Sequence, residues 1–143
     1  LGQGAIVGLL IDQDTTARGV FVPFFGKQAW TPSGAAELAR QTGSPLLVGF
    51  ISRRPSGGHQ IRIEAPSLSF DGAEREVDQR NTAILTACIE AAVSREPEEW
   101  VWMHSRWKTR PTSEKRLKNG EYEQGIVNGS DHISVSDSAR MRS

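Results

Sequence analysis

Near its start the chain carries an apolar run, residues 4–11 (GAIVGLLI), which constrains the fold more than any other feature. A continuous apolar segment of this length is typical of a strand that is buried on both faces of a sheet. Such strands occur where helices cover the sheet, so the run favours an α/β fold. It is far shorter than the roughly 20 residues that span a bilayer. We therefore expect a central strand here.

Strand and helix patterns alternate after this run. Residues 20–25 predict a short strand, in which Pro23 removes a hydrogen-bond donor and indicates an edge or a bend. The Thr-Pro pair at 31–32 is typical of a helix start, because proline is favoured at the first helical position. Gly43 stands where a helix usually ends. These signals predict a helix over residues 32–42.

A hairpin and a long helix complete the pattern. Residues 45–51 form an apolar strand, residues 55–58 form a turn, and residues 59–65 alternate like a half-exposed partner strand. A helix is expected over residues 73–95, preceded by a possible capping box at Asp71 and Glu74. Its apolar stripe consists of Val77, Ile84, Leu85, Cys88, Ile89 and Ala92. We expect Cys88 to serve in packing.

Composition limits the class of protein. The 143 residues include 17 basic and 17 acidic ones, and this balance argues against a nucleic-acid binder. The single cysteine excludes an intrachain disulfide and a cysteine-based zinc site. All tryptophans, phenylalanines and prolines lie within residues 1–111, so we expect one folded unit there and a polar, disordered tail over residues 112–143. Because the chain does not begin with methionine, we expect it to be a piece of a longer protein.

The first candidate site follows the apolar run directly. Asp12, Gln13 and Asp14 stand at the predicted carboxyl end of a strand, where ligands gather in open α/β sheets. Two acids and an amide could bind a metal, orient a base or pair with arginine. Arg18 and Lys27 flank the next strand and could neutralise these acids or contact a phosphate. The alternative is a polar loop that only closes the strand.

The second candidate site is a segment rich in tryptophan and cations, residues 98–111. If this segment is extended, its alternate residues share one face. Aromatic and cationic side chains together suit a water–lipid boundary or a phosphate. The alternative is that the tryptophans cover the sheet and the cations are solvated. The residues that would share the face are Trp100, Trp102, His104, Arg106, Lys108 and Arg110.

Several motifs resemble one family. They are Asp12-Gln13 after the apolar run, the stretch GVFVPFFG at 19–26, TPSGAAELA at 31–39, and the closing block PEEWVWMHSRWKTRP at 97–111. Together they resemble the late acyltransferases of lipid A biosynthesis, in the lysophospholipid acyltransferase superfamily. The closing block is the most specific match. The resemblance covers residues 1–111 and corresponds to the C-terminal half of such an enzyme.

The resemblance implies a fold and an activity. The fold would be part of a glycerolipid-acyltransferase-like mixed sheet flanked by helices. The parent would be a membrane-bound enzyme at the cytoplasmic face of the inner membrane. It would move a fatty acyl chain from acyl carrier protein to a hydroxyl of a lipid A precursor, without a metal or a redox cofactor. The family's catalytic H-x4-D/E motif and membrane anchor lie upstream of the Asp-Gln block, so we expect this chain to be inactive alone.

The resemblance also implies roles for individual residues. Asp12 matches a family acid that serves the active site, and we expect it to be catalytic. The remaining candidates are expected to bind substrate. The cations among them would contact the negative charge of the substrate. They are Gln13, Asp14, Arg18, Arg106, Lys108 and Arg110.

Two competing interpretations remain open. His59 and Glu64 have the H-x4-E spacing, but they lie in a predicted strand, where five steps place two side chains on opposite faces. We therefore expect this pair not to form a catalytic dyad.

The rival to the enzyme hypothesis is a non-catalytic module that binds anionic lipid or a partner protein. A weaker third hypothesis is a domain that binds a soluble phosphorylated metabolite.

Overall fold

The computed structural model describes residues 4–112. Along this part of the chain the elements are two strands, a helix, two further strands and a long helix, followed by a 3-10 turn at Pro97–Glu99. The described strands form two separate antiparallel hairpins. The mixture of helices and strands confirms the predicted α/β class. The glycerolipid-acyltransferase-like mixed sheet stays a prediction. Residues 113–143, nearly all of the predicted tail, lie outside the described residues.

The first hairpin pairs β1 (Gly19–Phe24) with β2 (Lys27–Pro32). Phe25 and Gly26 form its turn, both with positive φ, at 49° and 70°. The predicted strand over residues 20–25 is confirmed within one residue. Strand β2 was not expected, because its residues carry no clear alternation in the sequence.

Helix α1 (Gly34–Thr42) begins later than predicted. Thr31 and Pro32 belong to β2, paired with Val20 and Gly19, so they cannot also open the helix. The predicted end is confirmed, since Gly43 adopts the left-handed conformation, φ 64°, and its N–H donates to the Ala39 carbonyl.

The second hairpin pairs β3 (Val48–Arg53) with β4 (His59–Glu64). Both strands were predicted, although β3 begins three residues later than expected. Strand β3 alternates between half-buried and exposed residues, so it is not buried on both faces. Phe50 on its inner face packs against the core.

Helix α2 (Glu74–Arg95) agrees closely with the prediction over residues 73–95. Of the predicted stripe, Val77, Leu85 and Ile89 are buried, and Cys88 is half-buried. The capping box is wrong, because Ala73 is the N-cap and no side chain caps the helix. The buried set also contains polar residues, which link α2 to its neighbours. Asp78, for example, accepts a bond of 2.8 Å from Arg40 on α1.

The core lies where the first hairpin meets α2. Phe24 and Ala29 from the hairpin pack against Ile89 and Val93 from the helix. Phe24 is the largest buried side chain of the described residues. Trp100 and Trp107 from the closing block cover this cluster on the outside, with ring centroids 5.9 and 5.6 Å from that of Phe24.

The predicted central strand over residues 4–11 is wrong. This segment has no strand hydrogen bonding, and its side chains are mostly exposed, Ile6 at 97%. A strand that is apolar on both faces needs partner strands and covering layers. Within the described residues, neither two-stranded hairpin pairs with this segment. Neither described helix is long and apolar enough to cross a membrane.

Candidate functional site

The two candidate sites lie together in the structure. The Asp14 carboxylate accepts two hydrogen bonds from Thr109, one from its N–H at 2.8 Å and one from its hydroxyl at 2.9 Å. These residues are 95 positions apart in the chain. The bonds therefore fix the Asp12–Asp14 loop against the closing block. Each carboxylate oxygen of Asp14 thus accepts a hydrogen bond from Thr109.

Arg106 is the buried centre of this contact, at 2% exposure. Its guanidinium donates to the Trp30 carbonyl at 2.7 Å and to the Thr31 hydroxyl at 2.5 Å, both on β2. It also stands over the Phe24 ring, 5.2 Å from the centroid. Burial lowers the pKa of Arg106 from its usual value, and the nearby charges of Asp14 and Asp12 oppose this shift. The two acids thus help to keep a buried cation charged.

The closing block is turned, so the predicted common face is wrong. Residues 101–109 contain no strand and pass through successive turns. Trp100 packs inward, whereas Trp102 and Met103 are exposed. Arg106 is buried, while Lys108 is exposed. The cause is local hydrogen bonding, since the N–H groups of His104 and Arg106 donate to carbonyls two or three residues earlier.

The remaining predicted site residues differ in accessibility. Gln13 and Arg110 are half-buried. Arg18 is exposed and forms an ion pair of 3.4 Å with Glu37 on α1. Arg18 is therefore a surface residue held by α1, and no contact joins it to the Asp12–Asp14 loop within the described residues. Lys27, in the first hairpin, is exposed as well.

Asp12 lines an apolar cavity of about 630 Å³. The walls come from segment 4–12, from α1, from residues 44–50, from the middle of α2 and from Trp100. Among the described residues, Asp12 is the one charged side chain in this lining. Its Oδ1 is buried and makes no hydrogen bond within the described part of the chain. The cavity is thus mainly apolar, and one carboxylate oxygen of Asp12 is buried without a hydrogen-bond partner among the described residues.

The structure also tests the H-x4-E pair. His59 opens β4 opposite Arg53, and Glu64 closes the same strand. Five strand residues separate their Cα atoms by roughly 16 Å. Glu64 instead binds Arg62 and Arg95 at 2.9 and 3.5 Å. The expectation that this pair forms no dyad is confirmed.

Metal binding was one of the roles left open for Asp12 and Asp14. Across residues 4–112, no three His, Cys, Asp or Glu side chains come together in an arrangement that could hold an ion. The acids of the Asp12–Asp14 loop interact with Arg106 and Thr109 instead.

Sequence reasoning missed three parts of this site. Thr109 was not singled out, and Thr31 was assigned to a helix cap. The cavity depends on segments far apart in the sequence. A usable signal was the Thr-Arg pair next to the tryptophan-rich block, since a hydroxyl there can bind an acid from another segment.

Comparison with known proteins identifies relatives. The family model for bacterial lipid A biosynthesis acyltransferases matches residues 1–109. The lipid A biosynthesis lauroyltransferase of Escherichia coli (strain K12) is 38% identical over 117 residues, covering 78% of this chain and 36% of that protein. The palmitoleoyltransferase of the same pathway and organism is 30% identical over 120 residues, covering 82% of this chain and 38% of that protein. A lipid A biosynthesis acyltransferase of Shigella flexneri matches to the same extent. The chain thus spans less than two fifths of the length of these relatives.

Proposed function

This chain belongs to the bacterial lipid A biosynthesis acyltransferase family, and we propose that it is part of an enzyme that acylates a lipid A precursor. The acyl donor in this proposal is acyl carrier protein, and the acceptor is a hydroxyl of the precursor. The reaction takes place at the cytoplasmic face of the inner membrane. No metal or redox cofactor takes part.

The observation that carries the proposal is the apolar cavity whose lining includes Asp12. Its volume of about 630 Å³ lies within the ~300–1,000 Å³ that ligand pockets usually have. An apolar interior matches a fatty acyl chain, and a carboxylate at the wall matches the polar, reacting end of that chain. A soluble phosphorylated metabolite would instead need cations in the lining, and the one charged side chain among the described lining residues is the acid Asp12.

Asp12 has the catalytic role in this proposal. A histidine from the family's upstream H-x4-D/E motif acts as the base that deprotonates the acceptor hydroxyl. The hydroxyl oxygen attacks the acyl thioester carbon, and the carrier's thiolate leaves with the proton. The buried Oδ1 of Asp12, which has no partner among the described residues, accepts a hydrogen bond from the completed active site and so orients the reacting groups. The 143-residue chain has no histidine before Asp12 and is inactive alone.

The other predicted residues divide into two groups. Asp14 and Arg106 act by positioning, because their polar atoms already bind Thr109 and β2. The exposed cations Arg18 and Lys108 contact the negative charge of the acceptor. The half-buried residues Gln13 and Arg110 border the same loop and block, and we assign them to substrate binding as well.

The rival hypothesis is a non-catalytic module that binds anionic lipid or a partner protein. Its support was the missing catalytic base and the tryptophan- and cation-rich closing block. The turns of residues 101–109 divide the face that this block would present, so the second of these supports is weakened.

An acyl-transfer assay on the full-length parent tests the proposal. Asp12→Asn should lower turnover about 100-fold or more, as expected for a residue that orients a proton transfer. Its free energy of unfolding should change by less than about 1 kcal/mol. Asp71→Asn is the matched control, because Asp71 is an exposed acid away from the cavity, and it should retain full turnover.

Two results would contradict the proposal. Equal turnover in Asp12→Asn and the wild type would remove Asp12 from the active site. Transfer by the purified 143-residue chain would show that the upstream motif is not required.

A further inference from the structure

The closing block is fixed to two distant parts of the chain through two of its residues. Arg106 donates two hydrogen bonds to β2, and because it is 2% exposed, this end of the block is anchored within the protein. Thr109, three residues further along, donates two hydrogen bonds to Asp14. The block therefore joins the first hairpin to the Asp12–Asp14 loop.

Thr109 holds the Asp14 carboxylate at both of its oxygens. Its N–H donates to Oδ2 at 2.8 Å, and its hydroxyl donates to Oδ1 at 2.9 Å. Two bonds to two oxygens fix the orientation of the carboxylate as well as its position, whereas one bond alone would leave it free to rotate. Both residues are half-buried, so water competes less for these bonds than it would at the surface.

The orientation of Asp14 limits where Asp12 can lie. Gln13 alone separates the two residues, and the chain bends at Asp12 and Gln13. Residues 11–15 belong to neither a strand nor a helix, so no regular backbone hydrogen bonding holds them. On the other side of Asp12, Ile11 packs against the core. Asp12 thus lies between two fixed points, the core and the bonded Asp14.

The closing block has contacts of its own that do not involve Thr109. Its two inner tryptophans pack against Phe24 in the core, with ring centroids 5.9 and 5.6 Å away, and Arg106 is bonded to β2. These contacts hold the block in place without the Thr109 hydroxyl. Loss of that hydroxyl therefore releases the Asp12–Asp14 loop and leaves the block folded.

We propose that Thr109 is a positioning residue for the acyl transfer of the proposed function. By binding both oxygens of Asp14, it holds the Asp12–Asp14 loop so that the buried Oδ1 of Asp12 faces the reacting groups. In this role Thr109 itself touches neither the acyl donor nor the acceptor. The inference rests on the catalytic role proposed for Asp12, and it adds the residue of the closing block through which that role is maintained.

The first variant is Thr109→Val in the full-length parent, which removes the hydroxyl and keeps the backbone N–H and the branched shape. A misplacement of about 1 Å in an active site can lower the rate by about 100-fold, and one of the two bonds to Asp14 remains, so we expect kcat to fall about tenfold. The KM for both substrates should change by less than about twofold, since the contact supports the reacting geometry and not substrate binding. The urea midpoint, measured in parallel, shows that the loss does not come from unfolding.

Three further single variants complete the comparison. Thr109→Ser keeps both donors and should retain kcat within about twofold of the wild type. Thr112→Val makes the same replacement at an exposed threonine nearby in the chain, and it should retain full kcat and KM. Asp14→Ala removes the acceptor and should lose at least as much kcat as Thr109→Val. It keeps the test decisive if Thr109→Val does not fold.

Double variants show through which residue Thr109 acts. Adding Thr109→Val to Asp14→Ala should lower kcat by less than about twofold further, since the contact is already broken. Adding it to Asp12→Asn should have equally little effect, because the group that Thr109 positions is already impaired. Independent contributions would instead multiply.

Three results would overturn this inference and leave the proposed function intact. Thr109→Val could keep the kcat of the wild type, Thr109→Ser could lose as much as Thr109→Val, or the losses could multiply in the double variants. A fourth result is full turnover in Asp12→Asn beside a slow Thr109→Val. It would contradict the catalytic role of Asp12 and, with it, the inference.

Discussion

Replacing Arg106 by methionine should destabilise the fold far more than replacing a comparable surface arginine. The guanidinium is 2% exposed and donates to Trp30 and Thr31 at 2.7 and 2.5 Å. Methionine fills a similar space but donates to neither oxygen. Both acceptors then remain buried beside an apolar side chain, and Asp14 loses a neighbouring cation.

The magnitude follows from the bonds that are lost. Hydrogen bonds to a charged group contribute roughly 1.5–3 kcal/mol each, and relief of the buried charge offsets part of the loss. We expect Arg106→Met to lower the free energy of unfolding by about 3 kcal/mol. Arg62→Met is the matched control, because Arg62 stands over the Phe50 ring at the same 5.2 Å but is partly exposed. Arg62→Met should lower the free energy of unfolding by about 1 kcal/mol or less.

Urea unfolding followed by tryptophan fluorescence measures both variants. The midpoint should fall for Arg106→Met with an unchanged m-value, since the fold itself is kept. Arg106→Lys should fall between the wild type and Arg106→Met, because one ammonium cannot reproduce the two-point contact. Equal losses for Arg106→Met and Arg62→Met would refute the reasoning. They would mean that the bonds to β2 do not stabilise the closing block.

Two further predictions concern the hairpins. A Cβ at residue 19 would lie 2.5 Å from the Thr31 carbonyl oxygen, so Gly19→Ala should lower the free energy of unfolding by about 2 kcal/mol. Gly49→Ala is the control, because a Cβ at residue 49 has no atom within 4 Å, and it should change stability very little in the same urea assay. Hydrogen bonds from Arg53 hold the pKa of Glu99 below its usual 4.5, despite partial burial. The stabilisation by the Arg53–Glu99 pair is therefore present above pH 4.5 and is lost as the pH falls through the lower folded-state pKa of Glu99. The same urea assay at several pH values measures this loss. An Arg53→Gln variant whose stability falls equally in acid would contradict the prediction.

The parts of the fold that the sequence predicted are the locally encoded ones. Helix α2 follows from a long periodic pattern, and its ends were correct within a residue. The end of α1 follows from Gly43, which takes the left-handed conformation without steric cost. The second hairpin follows from an apolar run and an alternating run on the two sides of a glycine turn.

The failures lie where local signals compete. The Thr-Pro pair at 31–32 has the chemistry of a helix start, but pairing with β1 assigns it to a strand. Alternate positions of the closing block carry aromatic and then basic residues, yet turns and the inward packing of Trp100 and Trp107 override that pattern. In both cases a contact distant in sequence outweighed a weak local preference.

The candidate site divides in the same way. The sequence alone identified Asp12, Asp14 and the closing block as separate functional candidates, because their residue types carry the chemistry. It could not show that Asp14 binds Thr109 or that Arg106 is buried against β2. Those contacts depend on chain segments more than 70 residues apart, which only the folded chain brings together.

The sequence by itself therefore determined the helices, the second hairpin and the chemical types of the site residues, through periodicity and turn preferences that act over a few positions. Only the tertiary structure decided whether the apolar run at 4–11 became a strand, since such a strand exists only with neighbours on both sides. It also decided that Arg106 stabilises the core and does not face solvent. A buried cation is stable only where particular acceptors and acids surround it, and the chain supplies these from Trp30, Thr31 and the Asp12–Asp14 loop.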